Sequence, residues 1–158
     1  GFAKVIDVAP DEYLLRSEGL VSSQFGVVRD KPKGNGGPAY LQGEELMQPQ
    51  YHMLFPNFTL NIDPGPGNMS VDVTRPAGPG RCAGSTEYFY YEEVSDETAG
   101  EMMAFANQVG TEDAALVASV QRGLSSGMIP HGRLLPSSEH LIQHFQKHVH
   151  EALTSPSR

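Results

Sequence analysis

Between Tyr51 and Glu93, apolar and polar side chains alternate in short runs that proline and glycine interrupt. Tyr51–Phe55 and Phe58–Asp63 flank a Pro56-Asn57 break, and Met69–Thr74 sets Met, Val and Val against Ser, Asp and Thr. A longer stretch from Cys82 to Glu92 places Tyr88 and Tyr90 on one side, with Phe89 and Tyr91 on the other. A period of two marks a strand with two unlike faces. The breaks at 63–68 and 76–80 allow only local connections, so the strands are expected to pair antiparallel as a meander. Two earlier strand-like stretches, Tyr13–Arg16 and Ser22–Arg29, are joined by the turn residues Ser17-Glu18-Gly19. The segment Lys31-Pro32-Lys33-Gly34-Asn35-Gly36-Gly37-Pro38 reads as a surface loop inserted within one domain.

After Ser95 the period changes to that of a helix. Ala99, Met102, Met103, Ala106 and Val109 share one face, and Gly110 reads as a stop. A second helix is expected from Glu112 to about Gly127, with Leu116, Val117, Val120 and Leu124 as its apolar stripe. Asp113 falls on that stripe, whereas Glu112 is turned away by roughly 100°. A carboxylate aimed inward must be paired, hydrogen-bonded or bound to a metal; otherwise it is a half-buried first-turn acid favoured by the helix dipole. The last helix starts at Ser137-Ser138-Glu139, with a serine cap, and buries Leu141, Ile142, Phe145, Val149 and Leu153. Strands first and helices afterwards predict an α+β domain, its helices packed on one face of an antiparallel sheet.

Composition narrows the function classes. The 158 residues carry 11 basic and 19 acidic side chains, a net charge of −8, with no basic cluster. A nucleic-acid backbone is therefore a poor partner. No apolar run reaches membrane-spanning length, and nothing in these residues resembles a secretory signal. Cys82 is the sole cysteine, which excludes an internal disulfide and a cysteine-rich metal centre; a reducing cytoplasm is the expected compartment. The chain opens on Gly1-Phe2-Ala3-Lys4 without a methionine, as a piece of a longer protein would.

Motifs for other chemistries fail on context. Gly34-Asn35-Gly36-Gly37 leads into proline and no helix, so it is a turn and not a phosphate cradle. No Gly-x-Ser-x-Gly elbow exists, and Cys82 has no histidine close in sequence. His140, His144 and His148 recur every four residues, on a flank roughly 115° from the apolar stripe of the last helix. All three cannot easily close around one ion, although a neighbouring pair can; a partly exposed polar flank is the expected role. His52 and His131 stand alone. Tyr88–Tyr91 is read first as sheet-face packing and second as a cavity wall.

Three stretches together resemble the catalytic domain of the α subunit of Rieske non-haem iron oxygenases, the family of ring-hydroxylating dioxygenases and choline monooxygenase-like enzymes. They are Phe55-Pro56-Asn57-Phe58-Thr59-Leu60-Asn61, Glu112-Asp113 followed by Val120-Gln121-Arg122-Gly123-Leu124, and Gly132-Arg133 with Glu139 through His144-Phe145. The resemblance implies a helix-grip fold and a mononuclear Fe(II) held by two histidines and one aspartate, with Asp113 as the carboxylate. It also implies a [2Fe-2S] Rieske cluster in a separate domain, electrons from a ferredoxin or reductase, O2 as co-substrate, and a homotrimer.

In the family the two histidine ligands precede a segment ending in a His-Pro-Gly-Phe type sequence. This chain starts at Gly1-Phe2, so those ligands and the Rieske domain are expected upstream, and residues 1–158 are expected to be inactive alone. The wording of Val120–Leu124 is closer to the quaternary-amine branch than to the aromatic-hydrocarbon branch, which suggests Phe58, Tyr88 and Tyr90 for an aromatic cage. Two rival readings stand beside it. One is a non-enzymatic helix-grip module for a small apolar ligand, in which Asp113 is only a capping acid. The other is a structural metal protein that binds zinc through the histidine stripe, a binding abolished by His144→Ala.

Overall fold

The computed structural model describes residues 13–26, 48–129 and 131–155. The loop at 31–38, the start of the chain, the end of the second expected strand and the last three residues lie outside the described residues. Within them, six strands form one sheet in simple sequence order: β1 (Leu14–Glu18), β2 (Val21–Phe25), β3 (Gln50–Leu54), β4 (Phe58–Ile62), β5 (Asn68–Pro76) and β6 (Cys82–Tyr90). Every neighbouring pair is antiparallel, as the short connections require. Gly19, at φ 54°, makes the β1–β2 turn, a left-handed conformation that glycine adopts without strain.

The register sorts the side chains into two unlike faces. Ser22, Met53 and Thr59 stand in line across β2–β4, as do Gln24, Tyr51, Asn61, Ser70 and Tyr88 across β2–β6. Asp72 and Thr86 extend the same face. The opposite face carries Phe58, Leu60, Ile62, Val71 and Val73, because a strand's side chains alternate.

Two helices follow. The first, α1, runs unbroken for 30 residues from Asp96 to Ser125, capped by the Ser95 side chain, which accepts from the Thr98 N–H. This corrects the expectation of two helices separated at Gly110. A glycine inside a helix costs only about 1 kcal/mol relative to alanine, and no proline follows to remove a hydrogen bond. Gly110 keeps negative φ, and Thr111 Oγ1 bonds back to the Asn107 carbonyl across it. The second helix, α2 (His140–Thr154), has Glu139 at its N-cap position without a side-chain cap bond. The expected serine cap is not used; Glu139 Oε2 instead accepts from the Leu135 N–H at 2.6 Å.

Both helices lie over the polar face of the sheet. Leu141, Ile142 and Phe145 of α2 share a cleft of about 380 Å³ with Ser22, Gln24, Tyr51, Met53, Thr59 and Asn61. Tyr90 Oη reaches the Ala99 carbonyl of α1 at 3.4 Å. The α1 stripe divides along its length. Met102 is the buried side chain of α1, at 6% exposure, whereas Leu116 and Val117 are 65% and 63% exposed. The expectation that Leu116, Val117, Val120 and Leu124 face the core is thus corrected. A 30-residue helix is about 45 Å long, and its residues 110–122 are all exposed. An apolar strip of this extent, continued by Met128 and Ile129, calls for a covering surface.

Candidate active site

Between α1 and the sheet lies a cavity of about 1010 Å³. Its floor is the polar sheet face: Tyr51 from β3, Asn61 from β4 with Asp63 just beyond, Ser70 and Asp72 from β5, and Thr86 and Tyr88 from β6. Its roof is the stretch of α1 from Phe105 to Ala114. Ala106, Val109, Gly110 and Asp113 recur at the helical period, which brings all four to the cavity side. Asp113 is solvent-exposed in this chain yet forms part of the cavity wall. Glu112, one residue round the helix, is absent from that wall and accepts instead from Gln108 Nε2 at 3.1 Å.

The floor is wired together by side-chain hydrogen bonds. Asp72 Oδ2 accepts from Thr59 Oγ1 at 2.9 Å and from Asn61 Nδ2 at 2.7 Å, and its Oδ1 accepts from Thr86 Oγ1 at 2.5 Å. Asn61 Nδ2 also reaches Ser70 Oγ at 3.2 Å. Tyr51 Oη donates to Asp63 Oδ1 at 3.1 Å. No buried side-chain nitrogen or oxygen is left unpartnered among the described residues, which is what a polar surface beneath a helix needs to be stable.

Three of these groups titrate abnormally. Burial pushes the Asp63 carboxyl above its ordinary value of 3.8; the Tyr51 hydrogen bond opposes the shift and the Asp72 charge adds to it. Tyr51 is driven far above the usual phenol range by burial first, then by the Asp63 charge and their hydrogen bond, so it remains a donor. Burial, followed by the Asp72 and Asp63 charges, also raises Tyr88.

A carboxyl whose folded-state pKa is raised favours folding most when protonated. Its contribution is complete below pH 3.8 and is lost as pH rises through the folded value. Asp63→Asn keeps an acceptor for Tyr51 and never ionises. Thermal melts should therefore show the variant gaining on wild type between about pH 4 and pH 7, and matching it at lower pH. Parallel melting curves across that window would mean that Asp63 is not held under this burial penalty.

Fit to a mononuclear iron can be judged on the donors. Asp63 and Asp72 are committed to the sheet network, whereas Asp113 has no hydrogen-bond or ion-pair partner among the described residues. No group of three or more His, Cys, Asp or Glu side chains converges among the described residues. The chain therefore fits one carboxylate donor of a facial triad, and the two imidazoles are not at this cavity.

The other sequence candidates are scattered. Tyr88 lines the cavity and Tyr90 contacts α1 beside it, but Phe58 pairs with Val73 on the opposite sheet face. A cage made of Phe58, Tyr88 and Tyr90 is thereby ruled out. His52 shares that opposite face, bonded to Ser23 Oγ at 2.9 Å and edge-on to Phe25. Cys82 is exposed and free. His148 and His144 are drawn against the β1–β2 turn, while His140 is exposed. Tyr51, Asn61, Asp63, Asp72 and Thr86 were not singled out by sequence. The available signal was the polar residue that strands β4 to β6 each place on one face.

Residues 18–155 match the ring-hydroxylating α subunit catalytic domain. The chloroplastic choline monooxygenase of Arabidopsis thaliana is 32% identical over 105 residues, which is 65% of this chain and 24% of that protein. The structure of a quaternary ammonium Rieske monooxygenase, described for carnitine oxidation by gut microbiota and inter-subunit electron transfer, superposes with TM-score 0.71 and 27% identity. It covers 94% of this chain and 40% of its own. The quaternary ammonium Rieske monooxygenase CntA in complex with its substrate γ-butyrobetaine gives TM-score 0.66 at 25% identity, over 93% of this chain and 39% of its own. The chain thus spans about a quarter of the curated relative and two-fifths of the solved ones.

Proposed function

Since the chain belongs to the ring-hydroxylating α subunit catalytic-domain family, we propose that it forms the substrate side of a Rieske-type monooxygenase site acting on a quaternary ammonium compound. The observation that carries the substrate class is the cavity lining. Asp63, Asp72 and Asp113 face it together with Tyr51 and Tyr88, and no lysine, arginine or histidine lines it among the described residues. Carboxylates and aromatic faces attract a cation, and a desolvated trimethylammonium group gains most from ring faces because it cannot hydrogen-bond. The relatives named above support the same class.

Asp113 is the side chain assigned to the mononuclear iron, with two histidines supplied by sequence of the kind the longer relatives have and these 158 residues do not span. That further sequence would also cover the exposed end of the α1 stripe. The iron, when bound, supplies O2 activation. Electrons would reach it from a Rieske [2Fe-2S] cluster fed by a ferredoxin or reductase, across a subunit boundary of an oligomer.

The residues of this chain do the rest. The Asp72 network holds the floor rigid, so the substrate meets a fixed surface. Tyr51 and Tyr88 stay protonated and present neutral ring faces. Ala106 and Gly110 keep the α1 roof low in bulk beside Asp113, leaving room for the substrate.

The test uses the full-length protein with its electron donor under ¹⁸O2. A trimethylammonium alcohol or acid is compared with its neutral carbon isostere, in which a tert-butyl group replaces the ammonium. The expected result is one labelled oxygen in the product of the ammonium compound and at least a tenfold lower kcat/KM for the isostere, about 1.4 kcal/mol of discrimination. Equal turnover of the two, or preference for an aromatic hydrocarbon, would overturn the ammonium reading.

A further inference from the structure

Away from the cavity, three electron-pair donors converge where α2 meets the β1–β2 turn. His148 Nε2 lies 2.9 Å from the Gly19 carbonyl oxygen and 3.2 Å from His144 Nε2. The two rings meet edge-on, at 88°. His148 is drawn in, with 17% of its side chain exposed, and its ring packs on Phe55 at 5.4 Å. Its other nitrogen, Nδ1, faces Glu151 Oε2 at 3.4 Å.

Protons alone account poorly for this arrangement. If His148 is neutral and Glu151 takes the Nδ1 proton, Nε2 carries a lone pair. That lone pair then sits against a carbonyl lone pair, with a third nitrogen alongside. The Nε2–H tautomer donates to the Gly19 carbonyl but turns the Nδ1 lone pair on the Glu151 carboxylate, and a charged His148 serves both sides only by sharing one Nε2 proton between two acceptors.

A metal ion resolves the contact. Two nitrogens 3.2 Å apart, each about 2.05 Å from a zinc ion, subtend roughly 103°, close to tetrahedral. An i, i+4 pair on one helix reaches this geometry, and a carboxylate on the far ring nitrogen is the usual outer partner of a metal-bound histidine.

We infer that His144 and His148 form a binding site for a borderline transition-metal ion of the Zn²⁺ class, with the Gly19 carbonyl as a third, weaker donor and Glu151 orienting His148. The ion would staple α2 to the β1–β2 hairpin, the part of the sheet against which α2 packs. The site is separate from Asp113 and does not depend on the assignment of the iron.

The experiment titrates Zn²⁺ into the full-length, iron-loaded protein against a chromophoric chelator, with thermal melts alongside. One zinc per chain beyond the iron complement is expected, with a melting temperature that rises on binding. His144→Gln and His148→Gln should each weaken zinc by at least tenfold and abolish that rise, and Glu151→Gln should weaken it by about tenfold. His140→Gln, one turn earlier on the same helix, should change neither. His144→Gln guards against a folding defect, since the His144 side chain bonds only to His148 among the described residues and the Rieske absorption reports an intact protein. The inference fails if no zinc binds, if His144→Gln and His148→Gln leave binding unchanged, or if ¹⁵N spectra show His148 protonated on both nitrogens and unmoved by zinc.

Discussion

Asp113→Ala in the full-length protein is expected to lose the mononuclear iron and with it turnover, while the Rieske absorption spectrum stays as in wild type and the melting temperature matches that of iron-free wild type. Each part of that outcome has a separate cause. Asp113 makes no hydrogen bond or ion pair among the described residues, so removing it breaks nothing that holds the fold. Alanine is also the better helix former. Losing one anionic donor of three should lower iron affinity by more than the roughly 10- to 100-fold that outer partners of metal ligands command.

Glu112→Ala is the matched control. It removes an equal charge from the adjacent residue of α1, a side chain bonded to Gln108 and turned away from the cavity. It should leave the iron in place. Iron content by elemental analysis, read beside the Rieske band, decides the matter. Full iron occupancy in Asp113→Ala would take Asp113 out of the site.

The strands were legible because their chemistry is local. Alternation from Tyr51 to Tyr91, with Pro56-Asn57 and the glycine-proline turns, marked each element to within two residues and dictated antiparallel neighbours. The helical region was harder to read. Gly110 looks like a stop, but nothing in the residues after it favours leaving the helix, and the unbroken backbone ladder outweighs its small intrinsic penalty. With α1 continuous, Asp113 stands in register with Met102, Ala106 and Val109, and the cavity lies beneath that row.

The floor of the site was misleading for a different reason. In an ordinary half-buried sheet the polar positions face water and the apolar ones face the core. Here the helices cover the polar face, so Thr59, Asn61, Ser70, Asp72 and Thr86 read as solvent positions although they line a cavity or the network beneath it. Their register pairing, side by side across β4 to β6, appears only once the strands are aligned. The same alignment separates Phe58 from Tyr88, which sequence proximity to a motif could not do.

Asp72→Ala is expected to be among the most destabilising single changes on the cavity floor, at about 2–3 kcal/mol. Three donors converge on that carboxylate, and hydrogen bonds to a charged acceptor contribute about 1.5–3 kcal/mol each when removed singly. The total falls short of a simple sum for two reasons. Asn61 keeps Ser70 as a partner, and the cavity admits water to the hydroxyls of Thr59 and Thr86. In a chain of this size, the loss corresponds to a melting temperature lower by roughly 5–10 °C.

Asp72→Asn separates structure from charge. Its amide oxygen can take the place of Oδ2, which accepts from both Thr59 and Asn61, and its NH2 can face Thr86, whose hydroxyl turns to accept. Most of the stability should therefore return. The negative charge does not, so the cavity holds a cation less well. KM for a trimethylammonium substrate should rise several-fold with kcat little changed, and the rise should shrink as salt is added. If KM is unmoved while stability recovers, Asp72 braces the sheet and has no part in attracting the substrate.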